Sequence, residues 1–243
     1  MTAERCGAIA FDLGSLPSFW AKKLNQFDRQ FFGAAAAKPV DRRPLISVGF
    51  SEMQIERLGI EGVLALIPVK HSDRRGSFSE VYRREILAGE GIDADFVQEN
   101  HVHSAARGVL RGLHFQIPPH AQGKLVRCTR GTILDVVLDI RSGSPTFGRH
   151  AAVELSEANR KQLWVPPGLA HGYVTLEPNC EVIYKVTEYW APNSERGIAW
   201  DDPAIAIDWR IPKNELTLAD KDRTNPRLSE LEPVFHYRGN SSP

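Results

Sequence analysis

The sequence predicts an all-β fold, an antiparallel sandwich or barrel with a few short peripheral helices. From Met53 onward, short β-type runs follow one another, and Gly, Pro, Asn and Ser separate them at the spacing such folds require. The clearest are "GVLRGLHFQ", "KLVRCTRG", "TILDVVLDI", "HAAVELS", "QLWVPPG", "GYVTL", "EVIYKVTEYW" and "GIAWDDP". One segment in this region has helical texture, Ser79 to Ala88, closed by Gly89 and expected to lie outside the barrel. There is no internal repeat at a period of about 20–50 residues.

Residues 1–52 have a different texture. Phe19, Trp20, Phe27, Phe31 and Phe32 flank a polar stretch, so Ser18 to Phe32 reads as one amphipathic helix with Ser18 as cap and Gly33 as stop. Ala34 to Ala37 with Pro39 and Pro44 then reads as a linker. The expected organisation is a poorly ordered extension and linker over residues 1–52, followed by one domain over 53–243.

The 243 residues include 30 Lys plus Arg and 30 Asp plus Glu, so the summed field is weak and argues against a nucleic-acid or membrane-surface partner. Any anion has to be held by a local cluster. The segment Met1 to Gly14 carries Glu4, Arg5 and Asp12 and has no apolar signal region, and the longest apolar run, Val63 to Ile67, is far too short to span a membrane. These features predict a cytoplasmic protein. Cys6, Cys128 and Cys180 form no Cys-x-x-Cys pair and read as reduced, inert thiols.

The chemistry concentrates between Gln98 and Arg130, where four histidines fall within about 20 residues. Neutral imidazoles at that density first suggest a metal. Pro166-Pro167-Gly168-Leu169-Ala170-His171 matches the second motif of the metal-binding cupins, which narrows the expected fold to a cupin-type jelly-roll β-barrel. In the first motif, however, Lys124 stands with six residues between it and Gly131, where the ligating Glu belongs. An ammonium aimed into the cavity opposes a divalent cation, so no metal is expected. A lysine beside histidines in a barrel mouth instead suits an anion that develops as a proton leaves the carbon next to a carbonyl. Inverting such a carbon needs a base on one face and a proton source on the other. Tyr184 alternates with Val182 and Val186 and so projects inward. The pattern alone leaves it open between a core tyrosine and a proton donor.

Six blocks, in order, resemble the signature of the dTDP-4-dehydrorhamnose 3,5-epimerase family: Gln98–His101, Arg111–Gln116, Ala121–Arg127, Ser144–Gly148, Ala170–Gly172 and Tyr184–Lys185. The resemblance runs from about Met53 to about Leu228. It implies His114 as base, Tyr184 as opposing acid and Asp222 as the carboxylate paired with the base, with Lys124 and His171 around the sugar oxygens. It also implies that Arg75, Phe78, Glu80, Gln98, Asn100, Arg111, Glu195 and Lys221 hold the nucleotide and its diphosphate. No cofactor is implied, the partner is a dTDP-sugar, and the assembly is a homodimer in which the strand carrying Arg75 and Phe78 reaches the neighbour's site.

Three positions depart from the family pattern. Tyr189-Trp190 stands where Tyr-Tyr is usual, and His103 and His120 are unexpected; His101 and His103 read as rim or structural residues. The expected reaction is inversion at C3 and C5 of dTDP-4-dehydro-6-deoxy-D-glucose. The rivals are a mono-epimerase, a non-catalytic sugar-nucleotide-binding cupin and a metal-dependent cupin.

Overall fold

The structure is a computed structural model and describes residues 53–239. The helix expected over residues 18–32 and the linker after it lie outside the described residues. Among the described residues, thirteen strands form two facing sheets and one hairpin. The six-stranded sheet runs β1 (Gln54–Arg57), β2 (Leu64–Ile67), β10 (Gln162–Val165), β7 (Lys124–Arg130), β12 (Cys180–Val186) and β5 (Gln98–Ser104). The five-stranded sheet runs β13 (Glu195–Gly197), β6 (Leu110–Gln116), β11 (Leu169–Thr175), β8 (Thr132–Asp139) and β9 (His150–Ser156). Every pairing between these strands is antiparallel. The expected cupin-type jelly-roll barrel is the fold observed.

Alternation along the strands separates interior from exterior. Val126, Cys128, Val137, Leu163, Tyr173 and Val182 pack in one buried cluster between the sheets. The outer face of the six-stranded sheet carries Leu64, Leu66, Leu125 and Trp164, covered by Leu87, Ile92 and Phe96. The outer face of the five-stranded sheet is covered by the C-terminal segment through Trp209, Ile211, Leu216 and Leu218. Both barrel walls are thus buried on their outer faces as well, so part of the interior can remain polar without loss of the core.

The local differences from the sequence reading have tertiary causes. The helix expected over Ser79 to Ala88 forms only as α1 (Arg84–Gly89), with Gly89 as its last residue. Val81 and Tyr82 are captured in extended form: the Val81 carbonyl accepts a bond from Gln162 Nε2, and Tyr82 packs edge-on against Phe96 at 5.5 Å. Packing there outweighs a helix preference of tenths of a kcal/mol per residue. The run "GIAWDDP" contributes only Gly197 to β13, because the Asp202 carboxylate turns the chain by accepting the Ala204 and Leu228 amides at 2.9 Å each. The strands β1, β2 and β5 and the hairpin β3 (His71–Asp73) to β4 (Gly76–Phe78) go beyond the runs picked out in the sequence. No helix among the described residues is long and apolar enough to cross a membrane.

Candidate active site

Glycine sets the local geometry of the site. Gly112, at φ +107°, faces Gly172 across the β6–β11 pairing, and the register shifts between His171 and Tyr173. A Cβ on Gly112 would come within 2.6 Å of the His171 carbonyl oxygen, and one on Gly172 within 2.7 Å of the Arg111 carbonyl oxygen. Only glycine permits this approach and this φ. The irregularity has a consequence for side chains: Arg111 and His114 are an odd number of residues apart, yet both line one cavity. A regular strand would send them to opposite faces.

That cavity has two chambers, of about 380 and 460 Å³, which share His114, Lys124, Tyr184 and Glu195. The first chamber is lined by side-chain amides and aromatics, namely Gln98, Asn100, Gln116, Gln122, Phe115 and Trp190. The second contains Arg111, His171, Tyr173, Lys221 and Asp222. The junction brings together residues from both sheets. His114 (β6) and Glu195 (β13) come from the five-stranded sheet, Lys124 (β7) and Tyr184 (β12) from the six-stranded one.

His114 Nε2 lies 2.6 Å from Asp222 Oδ1. Asp222 sits in α2 (Asp220–Arg223), 2% exposed, and its other oxygen faces the Gly112 amide at 3.4 Å. Burial pushes the Asp222 carboxyl up, but the His114 bond and charge, with the Gly112 amide and Lys221, outweigh this and hold it below its ordinary value. The carboxylate is therefore ionised at neutral pH. It selects the tautomer of His114 with hydrogen on Nε2, which leaves the lone pair on Nδ1. A basic nitrogen supported by a buried carboxylate can take a proton and be stabilised once charged.

On the facing wall, burial pushes the Tyr184 phenol up from its ordinary value, and Arg111 and Lys221 only partly offset it. The hydroxyl stays protonated through neutral pH and can donate. Burial also pushes the Lys124 ammonium down to about 8, against the pull of Asp135 and Glu195. It is a cation near neutrality, though weakly held.

His171 pairs across the strands with His114 and places Nε2 2.8 Å from Asp135 Oδ1, a fully buried carboxylate. Lys221 Nζ donates to Glu195 Oε1 at 2.9 Å. Burial raises the Glu195 carboxyl, but Lys221 and His114 outweigh this and hold it below its ordinary value.

The structure thus gathers ten of the expected site residues around one cavity: His114, Tyr184, Asp222, Lys124, Gln98, Asn100, Arg111, His171, Glu195 and Lys221. It does not bring Arg75, Phe78 and Glu80 to that cavity. Arg75 and Phe78 line a separate recess at the β3–β4 hairpin, where Phe78 is 64% exposed and Arg75 pairs with Asp73 at 2.6 Å. Glu80 pairs with Arg83, also at 2.6 Å. His101 and His103 are exposed, and His101 Nε2 lies 3.3 Å from Glu181. Sequence reasoning missed Asp135, Gln116 and Gln122. A carboxylate inside the apolar run "TILDVVLDI" was the available signal for Asp135; the glutamines gave none. Among the described residues no three His, Cys, Asp or Glu side chains stand together as metal ligands would.

The family model for dTDP-4-dehydrorhamnose 3,5-epimerase matches residues 57–230. The chain belongs to this family. It is 48% identical over 187 residues to a dTDP-4-dehydrorhamnose 3,5-epimerase of Sinorhizobium fredii, covering 76% of this chain and 95% of that one. Among solved structures it resembles a dTDP-6-deoxy-D-glucose-3,5-epimerase of Legionella pneumophila in complex with dTDP-4-keto-L-rhamnose, with a TM-score of 0.73, 38% identity and coverage of 77% of this chain and 100% of that one. It also resembles a 3'-monoepimerase of Streptomyces bikiniensis in complex with dTDP-quinovose, with a TM-score of 0.65, 35% identity and coverage of 71% and 86%. Membership makes the chain an isomerase of the epimerase type, built on the fold these structures share.

Proposed function

We propose that the chain inverts C3 and C5 of dTDP-4-dehydro-6-deoxy-D-glucose to give dTDP-4-dehydro-L-rhamnose. The observation that carries this reading is the junction of the two chambers, where a carboxylate-supported imidazole and a protonated phenol stand on opposite walls of the barrel beside an ammonium. The sugar ring lies at that junction with its C4 ketone toward Lys124 and His171. His114 Nδ1 removes the proton from the carbon next to the ketone, and the electron pair moves onto the ketone oxygen, where Lys124 stabilises the enolate. Tyr184 then delivers its hydroxyl proton to the opposite face of the same carbon. Solvent reprotonates the phenolate and takes the proton from His114. The ketone is the electron sink, so the reaction needs no organic cofactor.

The base fits the first chamber, whose Asn100 and Gln122 amides and Trp190 ring match a flat, uncharged heterocycle. Arg111 and Lys221 are the cations available to the diphosphate. Arg75 and Phe78 join the nucleotide end across a homodimer: the exposed β3–β4 hairpin of one copy reaches the first chamber of the other. Sedimentation of the active protein as a dimer, with Arg75→Ala and Phe78→Ala raising KM, supports this; an active monomer overturns it. A cytoplasmic location is part of this reading, and the free thiols at Cys128 and Cys180 support it.

The test is incubation with dTDP-4-dehydro-6-deoxyglucose in deuterated water. NMR should find deuterium at both C3 and C5. Label at one carbon makes the chain a mono-epimerase, and label at neither rejects the enzyme reading.

A further inference from the structure

The rim of the first chamber is held by a side chain that the reaction does not use. Gln116 closes β6 two residues after His114 and is only 4% exposed. All of its bonds go to backbone. Nε2 donates to the His120 carbonyl at 2.7 Å and the Tyr189 carbonyl at 3.1 Å, while Oε1 accepts the Ala191 amide at 2.8 Å. Two other amides join it on the same segment. Gln122 Nε2 donates to the Glu188 carbonyl at 2.6 Å, and Gln98 Oε1 accepts the Trp190 amide at 3.2 Å. Four successive residues, 188 to 191, are therefore each tied to a glutamine in the chamber wall. The segment is otherwise irregular and its aromatic side chains are exposed, Tyr189 by 62% and Trp190 by 58%, with the Trp190 side chain bonded to Glu195.

We propose that Gln116 is a positioning residue for nucleotide affinity: it fixes the 188–191 rim, and with it the Trp190 ring, over the first chamber. The proposal rests on the reading of that chamber as the nucleotide end. Gln116 is uniquely suited among these amides, because it bonds both sides of the rim at once, His120 on one strand connection and Tyr189 and Ala191 on the other. An ordered rim removes the entropy that a loose one would lose on binding. Because the rim would meet the nucleotide and not the reacting carbons, its order should alter ground state and transition state alike.

The experiment compares Gln116→Glu and Gln116→Leu with the parent protein by calorimetry with dTDP alone, alongside kcat and KM. Gln116→Glu keeps the shape and the acceptor for Ala191. Ionised, it loses both donors and sets a negative charge against two carbonyl oxygens; protonated, it regains one donor. At pH 8.5 both variants should bind dTDP at least roughly ten-fold more weakly than the parent, as expected for the two hydrogen bonds lost in Gln116→Glu and the three lost in Gln116→Leu. KM should rise in step, with kcat within about two-fold. At pH 5.5 Gln116→Glu should recover most of its dTDP affinity relative to the parent, while Gln116→Leu should not. That recovery also shows that the variant is folded. Unchanged dTDP affinity, a fall in kcat without a change in binding, or equal behaviour of the two variants at both pH values overturns the proposal. Failure of the parent to bind dTDP overturns it together with the nucleotide assignment. If the parent binds dTDP, the variants respond as expected and no turnover is seen, only the reaction reading fails.

Discussion

The two walls of the barrel do different work. The five-stranded sheet supplies His114, backed by Asp222 from α2, and His171, backed by Asp135 from β8, so both of its imidazoles in the cavity lean on a buried carboxylate. The six-stranded sheet supplies Tyr184 and Lys124, and there burial rather than a charged partner dominates: it holds the phenol protonated and weakens the ammonium. In the reaction proposed above, one wall accepts protons and the other donates them and meets negative charge. Inversion of a carbon requires groups on opposite faces, and a sandwich with polar residues on both inner walls can supply them from the two sheets.

Removing the carboxylate support is the sharpest way to break this contrast. Asp222→Asn keeps the shape but removes the charge and allows the other His114 tautomer. The loss expected is on the order of 10²–10⁴ in kcat, the scale of a general-base contribution, with KM little changed. A loss below ten-fold in steady-state kinetics would mean that His114 does not depend on Asp222.

The opposite wall is tested by pH. Lys124 acts as an ammonium and loses its proton as pH rises through about 8, so kcat/KM should fall above that value, about ten-fold per pH unit. Lys124→Arg keeps its charge throughout this range. It should lower the plateau by roughly ten-fold through poorer fit and abolish the limb near pH 8. The same limb in both proteins would assign it to another group.

A smaller effect separates the barrel from the preceding sequence. We propose that residues 1–52 are dispensable for turnover, since the family match begins at residue 57 and 95% of the Sinorhizobium relative aligns within this chain. A chain begun at Met53 should keep kcat and KM within about two-fold, an energy change below about 0.5 kcal/mol. Loss of soluble, active protein would show that the extension supports the barrel.

What the sequence could reveal divides along the same physical line. The wall strands were legible because their apolar residues and turn signals are local, and Lys124 was legible because it stands where a metal-ligating Glu belongs in a motif, whereas the roles of His114 and Tyr184 came from the family resemblance. Asp222 was not legible from its surroundings: it lies 108 residues from His114, in a polar tail, and only the family resemblance marked it. The pairing of His171 with Asp135 depends on the β11–β8 packing, and the bonds of Gln116 depend on a rim segment more than 70 residues away. The helix at Ser79 was overestimated because local propensity carries no information about the packing that captured Tyr82.

Whether base and acid are separate groups on opposing walls is tested most directly by comparing His114→Ala with Tyr184→Phe in deuterated water. Wash-in of deuterium at C3 and C5 and formation of the new stereocentres are followed together by NMR. His114→Ala should lose both signals, because no enolate forms. Tyr184→Phe should retain wash-in, since His114 can still remove a proton and return a solvent deuteron to the same face, while inversion falls by on the order of 10²–10⁴ relative to exchange. Equal loss of exchange and inversion in Tyr184→Phe would contradict the division of labour between the two walls.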